Sequence, residues 1–402
     1  MFFSEYFIRT SPSVMINDLM QTFSVGAAQV VLINTFFYWP YMFMQLPVGM
    51  IVDRYGAQKM ILIMTLLFSI SCFIFGSTDQ FWLSCFSRFL MGFSASFAFV
   101  STLKMANLWL PSHRFGLVTG ITQSMGMLGA ACGGGPAAWM IDRIGWQKTV
   151  IAMGFVLFGL VLLMRMLVYL ASDISESKIA HPDFQKTYQG FQQVMRNPET
   201  WWNGLLGGCL FGPTLALGEF WGVECLKNVH QISQQQAASA ISMLFIGWGI
   251  GGPCMGAFSD FIGRRKPLLF TGLFASVILL LTMLFVPLSY QMLCVVVVAY
   301  GFFNSTLVVS YAVAGEINHL SVTGISLAFS NLASVVVGAA ILQPLIGIIL
   351  TWQYNGIMLH GVPYFSGQMY QNAMLIMPVI LLIGLFAGFR LTETFCRRSS
   401  KT

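Results

Sequence analysis

Charge is what this chain has least of. Of its 402 residues only 8% are Asp, Glu, Lys or Arg, against 56% hydrophobic, and the mean hydropathy is +0.75. So little polar surface excludes a soluble globular body of this size, and the solvent of most of the chain is expected to be lipid. Acids are scarcer than bases, 14 against 20, for a net charge of +6. The bases sit in short gaps between apolar runs and form no basic face, which excludes nucleic acid as a partner. The five His residues do not cluster, and the eight Cys residues contain no C-x-x-C pair. They read as reduced packing residues, so no metal, disulfide framework or cofactor is expected. A basic n-region and a small-residue cleavage site are missing at the start, where Glu5 and Arg9 interrupt the apolar run. No signal peptide is therefore expected, and the first span would be the targeting element. The absence of a P-loop, H-E-x-x-H and nucleophile elbow argues against a membrane-embedded enzyme.

What is present is a succession of apolar runs near twenty residues long, the length a helix needs to cross hydrocarbon with its backbone bonded internally. Twelve spans are expected: 1–19, 25–50, 60–77, 80–107, 115–139, 147–171, 200–224, 237–258, 268–287, 290–313, 322–350 and 369–390. The reading is an all-α membrane protein of twelve transmembrane helices in two pseudo-symmetric six-helix bundles. The one long polar gap, 172–199, divides an N-terminal bundle (1–171) from a C-terminal bundle with a short tail (200–402). The first span is barely nineteen residues long and carries two charges; it is read as lacking its inner half, with the start of the chain set too late, the alternative being a truly short helix.

Orientation follows from the bases. Arg54, Lys59, Lys104, Arg114, Lys178, Lys186, Arg196, Arg264, Arg265, Lys266, Arg390, Arg397, Arg398 and Lys401 fall on one side of this map, and only Arg143, Lys148 and Lys227 on the other. Both termini and the central gap are therefore expected in the cytoplasm of a bacterium, with the chain in its inner membrane. The halves also repeat. Gly49, Asp53 and Gly56 recur as Gly256, Asp260 and Gly263 at an offset of 207, and Pro136 recurs as Pro344 at 208. Duplicated bundles related by an axis along the membrane normal have this property.

The stretches Gly49-Met-Ile-Val-Asp53-Arg54-Tyr-Gly56 and Gly256-Ala-Phe-Ser-Asp260-Phe-Ile-Gly263-Arg264-Arg265-Lys266 resemble the loop signature G-x-x-x-D-x-x-G-R-R-K of the major facilitator superfamily, the first copy lacking two of the bases. The resemblance implies the major facilitator fold, and a gating role in which each aspartate meets the positive N-terminus of a helix from the opposite half, a contact of ~1 kcal/mol or somewhat more. Gly126, Gly129, Gly133 and Pro136 resemble the glycine-rich signature of helix 5, where small residues allow close helix approach. A wider block, including Glu5-Tyr6-Phe7-Ile8-Arg9, Gln45-Leu46-Pro47-Val48-Gly49 and Arg88-Phe-Leu-Met-Gly92, is similar to the Pht phagosomal transporters and, more distantly, to lysosomal dipeptide transporters. This implies import of amino acids, short peptides or nucleosides.

Intramembrane charge costs ~2.5 to 3.5 kcal/mol per residue at a helix centre on insertion scales, so it marks function or tight pairing. Glu5 and Arg9, spaced i and i+4, could pair with each other or jointly hold a zwitterion. Arg88 suits a carboxylate by its fork, or could serve a buried acid or carbonyl. Glu219 follows the Gly212-Pro213 break and could exchange protons or bind an amine. Glu5 and Glu219 are the candidates for proton coupling. Arg9, Arg88, Tyr38, Tyr41, Gln123, Asn304 and Asn331 are the candidates for substrate, with Asn34 and Gln343 as further polar residues that could line a cavity or only pack. Glu224, Arg165 and Lys104 lie nearer span ends, where snorkelling accounts for them. The expected function is secondary active transport by alternating access: proton-coupled uptake of a small zwitterionic or anionic metabolite by a monomer whose partners are its substrate, protons and the bilayer. The alternatives are an exporter of drugs or a siderophore, and a non-transporting sensor on the same fold.

Overall fold

A computed structural model of the chain describes residues 1–45, 47–109, 125–170, 184–318, 322–359 and 362–396. Its described residues are helical almost throughout; the exception is one short antiparallel pair, Met358–Leu359 with Val362–Pro363. Apolar periodicity in these helices is weak because most have lipid on one side and protein on the other, both apolar. Large exposed side chains such as Trp39, Phe43, Trp82, Phe155, Phe258 and Phe389 face outward.

The N-terminal elements are α1 (Phe2–Thr10), a 3-10 turn (Ser11–Val14), α2 (Ile16–Phe23), α3 (Ala27–Met44), α4 (Pro47–Tyr55), α5 (Ala57–Ser77), α6 (Phe81–Trp109), α7 (125–132), α8 (Gly135–Ile144) and α9 (Trp146–Leu170). The helix α10 (Phe184–Arg196) occupies the expected linker. The C-terminal elements are α11 (Pro198–Ala216), a π turn (Leu217–Trp221), α12 (Gly222–His230), α13 (Gln234–Ile262), α14 (Lys266–Phe285), α15 (Tyr290–Asn304), α16 (Leu307–Glu316), α17 (Thr323–Val335), a π segment (Val336–Leu342), α18 (Gln343–Gln353), α19 (Gly367–Met374) and α20 (Ile376–Arg390). Among the described residues eight helices are long and apolar enough to cross a membrane, with a ninth if the bent pair α2 and α3 counts as one. Of the other expected spans, the first breaks at the Pro12 turn, the seventh carries a π turn and two glutamates, and the fifth lies outside the described residues up to 124 and breaks at Gly133–Gly134 within them.

The duplication is visible in the geometry. Gly56 and Gly263 both take positive φ, 86° and 69°, at the same point of each repeat, where a side chain would be strained. A Cβ on Gly92 would collide with the backbone of Phe37, and one on Gly301 with the backbone of Leu244. These pairs are offset by 209 and 207 residues and bring α6 onto α3 and α15 onto α13 at the closest approach two helices can make. Between bundles, α3 packs on α18 and α8 on α13. A two-fold that maps each span onto the one six later turns the first pair into the second.

Interbundle hydrogen bonds among the described residues run from mid-depth to the end marked by Gly145. Asn17 Nδ2 donates to Glu224, Gln234 Nε2 to Val14 O, and Gln235 Nε2 to Gly135 O. The signature loops lie at the opposite end. Among the described residues the Asp260 carboxylate accepts from Arg265 Nη1 at 2.7 Å within its own bundle. Arg265 also donates to Glu316 at 2.7 Å, while Glu393 accepts from the backbone N–H groups of Arg265 and Lys266 at 2.8 and 3.0 Å. Partial burial pulls the Arg265 guanidinium down, but its bonds to Glu316 and Asp260 outweigh that and hold it above the ordinary arginine range. Arg264 lies over the Phe395 ring. Gly49, Asp53 and Arg54 lie on α4, and their side chains are outside the described residues.

Candidate functional site

The first span places the charges. Glycines at 126, 129 and 133 recur at three and four residues, so they share one helix face. A Cβ on Gly126 would meet the Phe2 ring at 2.7 Å, and one on Gly133 would meet Phe7 O at 2.7 Å; Gly129 lies against Phe3 O. The smooth face of the fifth span thus seats α1, and with it Glu5 and Arg9. Pro136, just beyond, opens α8 at its first turn and is exposed.

Arg9 is buried, and it pairs with Glu219 of the opposite bundle, not with Glu5. Its Nη2 and Nε donate at 2.7 and 2.9 Å to a single oxygen, Glu219 Oε1. The self-neutralised Glu5–Arg9 pair left open by the sequence is not the arrangement found. Glu219 sits in the π turn Leu217–Trp221, which adds a residue to the seventh span and re-aims its side chains. Three tyrosine rings surround the guanidinium, Tyr6 at 4.3 Å, Tyr38 at 5.6 Å and Tyr41 at 6.0 Å from ring centroid to Cζ. Several polar atoms here have no hydrogen-bond partner among the described residues: both oxygens of Glu5, Glu219 Oε2 and the Tyr38 hydroxyl. A buried polar atom without a partner costs about 1 to 3 kcal/mol, so a group of them beside one cation is the mark of a site that waits for a ligand.

Arg88, grouped with Arg9 as a substrate fork, does something else. It is wholly buried and donates through Nη1 to Ile8 O (3.1 Å), through Nη2 to Asn34 Oδ1 (3.0 Å) and through Nε to Ile33 O (3.4 Å), with Phe37 4.7 Å below. All three nitrogens are spent on the protein's own oxygens. Asn34 then donates to Gln343 Oε1 at 2.8 Å, and Gln343 Nε2 to Leu215 O at 3.2 Å. Arg88 therefore begins a polar relay that crosses from α6 through α3 and α18 to α11, beside the Arg9–Glu219 pair.

The other candidates separate. Asn304 donates to Leu210 O at 2.6 Å within its bundle, and its side-chain oxygen has no partner among the described residues. Asn331 accepts from the Tyr311 hydroxyl at 3.2 Å and is half-buried. Gln123 lies outside the described residues. Glu224, expected to snorkel, is instead buried and held by Asn17, Lys227 and Asn228. Sequence reasoning also missed Ser242, whose hydroxyl accepts from Gly135 N at 2.8 Å and donates to Ala131 O at 2.7 Å, bridging the break in the fifth span from the other bundle. No linear pattern marks that serine. Among the described residues no group of His, Cys, Asp and Glu could hold a metal.

Comparison with known proteins fits this architecture. A sequence model described as the Major Facilitator Superfamily matches residues 1–224. The probable sulfoacetate transporter SauU of Cupriavidus necator is 22% identical over 302 residues, covering 71% of this chain and 70% of its own. The lysosomal dipeptide transporter MFSD1 of Homo sapiens is 22% identical over 185 residues, 45% of this chain and 39% of its own. In fold, a solved bacterial homolog of the human lysosomal transporter Spinster, in an inward-facing and occupied conformation, aligns with a TM-score of 0.77 at 16% identity, covering 99% of this chain and 96% of that one.

Proposed function

The chain belongs to the Major Facilitator Superfamily and is a multi-pass membrane protein and secondary transporter, and we propose that it takes up a small zwitterionic or anionic metabolite, coupled to protons, across a bacterial inner membrane. The observation that carries this is the Arg9–Glu219 bond. A guanidinium held by one oxygen of one carboxylate can be better served by a cargo carboxylate that presents two oxygens to its fork. Glu219 would then be left as a buried charge without its cation, a situation that costs about 3 to 5 kcal/mol when one member of a buried pair is removed. A proton on Glu219 removes that cost. Cargo on Arg9 and proton on Glu219 are thereby tied together, and both come at the expense of a bridge between the bundles.

The basic loops support a cytoplasmic placement of the Gly263 end. The described hydrogen bonds between the bundles lie from mid-depth to the Gly145 end, which supports assigning the Arg9–Glu219 bond to the state reached after release to the cytoplasm. Re-formation of that bond as the proton leaves displaces the cargo inward, which favours uptake over export. Cargo of this class agrees with the sulfoacetate and dipeptide in the names of the relatives and with the Pht-like motif block. The test is uptake of radiolabelled amino acids, dipeptides and sulfoacetate into proteoliposomes with and without an imposed pH gradient. Accumulation against the concentration gradient only when protons can follow is expected; equal accumulation in both would remove proton coupling.

A further inference from the structure

We infer that the cargo carries an ammonium group as well as a carboxylate, and that Glu5 is the residue that reads it; this rests on the reading of Arg9 as the carboxylate anchor. Glu5 is fully buried, and neither of its oxygens has a hydrogen-bond partner among the described residues. It lies four residues from Arg9 on the same row of α1, about 6 Å along the axis, so both side chains address the same region. The Gly126, Gly129 and Gly133 face fixes α1 against the fifth span, which holds the Glu5 backbone in place.

Among the described residues the side-chain cations nearby are committed elsewhere. Arg9 is bonded to Glu219, and Arg88 spends its nitrogens on Ile8 O, Ile33 O and Asn34. Among the described residues Arg9, the Met1 amino group and Glu219 are the charges that act on Glu5. Two carboxylates and one guanidinium at its centre leave one net negative charge, which a proton on Glu219 removes. A zwitterion, itself neutral, keeps that balance and gives each remaining charge a partner: its carboxylate takes Arg9 and its ammonium takes Glu5. A dianion would set its second negative group against Glu5 at close range, where like charges repel most strongly in a medium of low dielectric. Glu5 is thus a specificity residue that separates amino carboxylates from the dianions that related carriers are named for.

Purified full-length protein in proteoliposomes tests this with paired probes. L-alanine and L-alanyl-L-alanine are the zwitterions, propanoate and propanoyl-L-alanine their partners without the amine, and sulfoacetate and succinate the dianions. Wild-type protein is expected to bind at least one zwitterion tenfold or more tighter than its partner and than either dianion. Glu5→Gln should lose that preference, and Glu5→Asp, which keeps the charge, should retain most of it; thermal melting of both variants reports whether they fold. The inference is overturned by tighter binding of the dianions or amine-free partners, by binding of none of the six, or by a Glu5→Gln variant that weakens both members of a pair equally, as a residue that only carries a proton would. If instead Arg9→Lys leaves every probe unaffected, it is the carboxylate anchor itself that fails.

Discussion

Removing one hydroxyl at Ser242 should shift the whole transporter between its two conformations. The break at Gly133–Gly134 leaves the N–H of Gly135, the first residue of α8, without an acceptor in its own helix. Ser242 Oγ supplies that acceptor across the bundle boundary at 2.8 Å. Ala131 O, the other partner, also accepts from Gly134 N at 3.3 Å, so it retains a bond when the serine is lost. The cost of Ser242→Ala is therefore dominated by one orphaned buried N–H, about 1 to 3 kcal/mol. It is paid only while the Gly145 end is shut, since opening lets water or lipid headgroups reach Gly135. The equilibrium should move toward the opposite state by about 5- to 150-fold. Spin labels at Gln80 and Pro287, both exposed at this end, would read the change as growth of a longer distance in pulsed electron resonance, with the exposed Cys254 replaced to prevent stray labelling. An unchanged distance distribution in a variant that melts like wild type would refute the reasoning, as would a shift toward the shorter distance.

Arg88→Met removes three bonds made by a charged donor, and the melting temperature in detergent should fall by the equivalent of roughly 2 kcal/mol or more, with cargo affinity of the folded fraction unchanged. Intact melting with lost affinity would return Arg88 to the cargo site. Gly301→Ala drives a methyl into the backbone of Leu244 and should destabilise by about 1 to 3 kcal/mol, whereas Gly256→Ala, whose new Cβ would sit 3.7 Å from Val308, should be neutral or slightly stabilising in the same melting assay.

Much of the fold was legible because lipid imposes a coarse rule on sequence: long apolar runs, short polar gaps, bases on one side. The 207-residue echo of Gly49, Asp53 and Gly56 was visible for the same reason that Gly56 and Gly263 share a backbone conformation, since few residues tolerate that turn. The site was legible in part. Charge in a span announces itself, so Arg9, Arg88 and Glu219 stood out, but a sequence says nothing of which partner each one finds. Arg88 and Arg9 looked equivalent, yet one faces the carbonyls of the broken first span and the other an acid 210 residues away. Helix breaks were the other blind spot. The π turn that aims Glu219 and the 3-10 turn at Ser11–Val14 arise from packing, and apolar periodicity does not register them. Ser242 illustrates the limit most clearly: its importance comes wholly from a neighbouring backbone N–H that the glycine break exposes.

The claim on which the account turns is that cargo and proton meet through Glu219. Glu219→Gln keeps a side chain that can still accept from Arg9 but can no longer titrate. In proteoliposomes the account predicts that this variant exchanges labelled for unlabelled cargo across the membrane, yet no longer accumulates cargo when a pH gradient is imposed. A Glu219→Gln protein that still concentrates cargo in response to the gradient would contradict it.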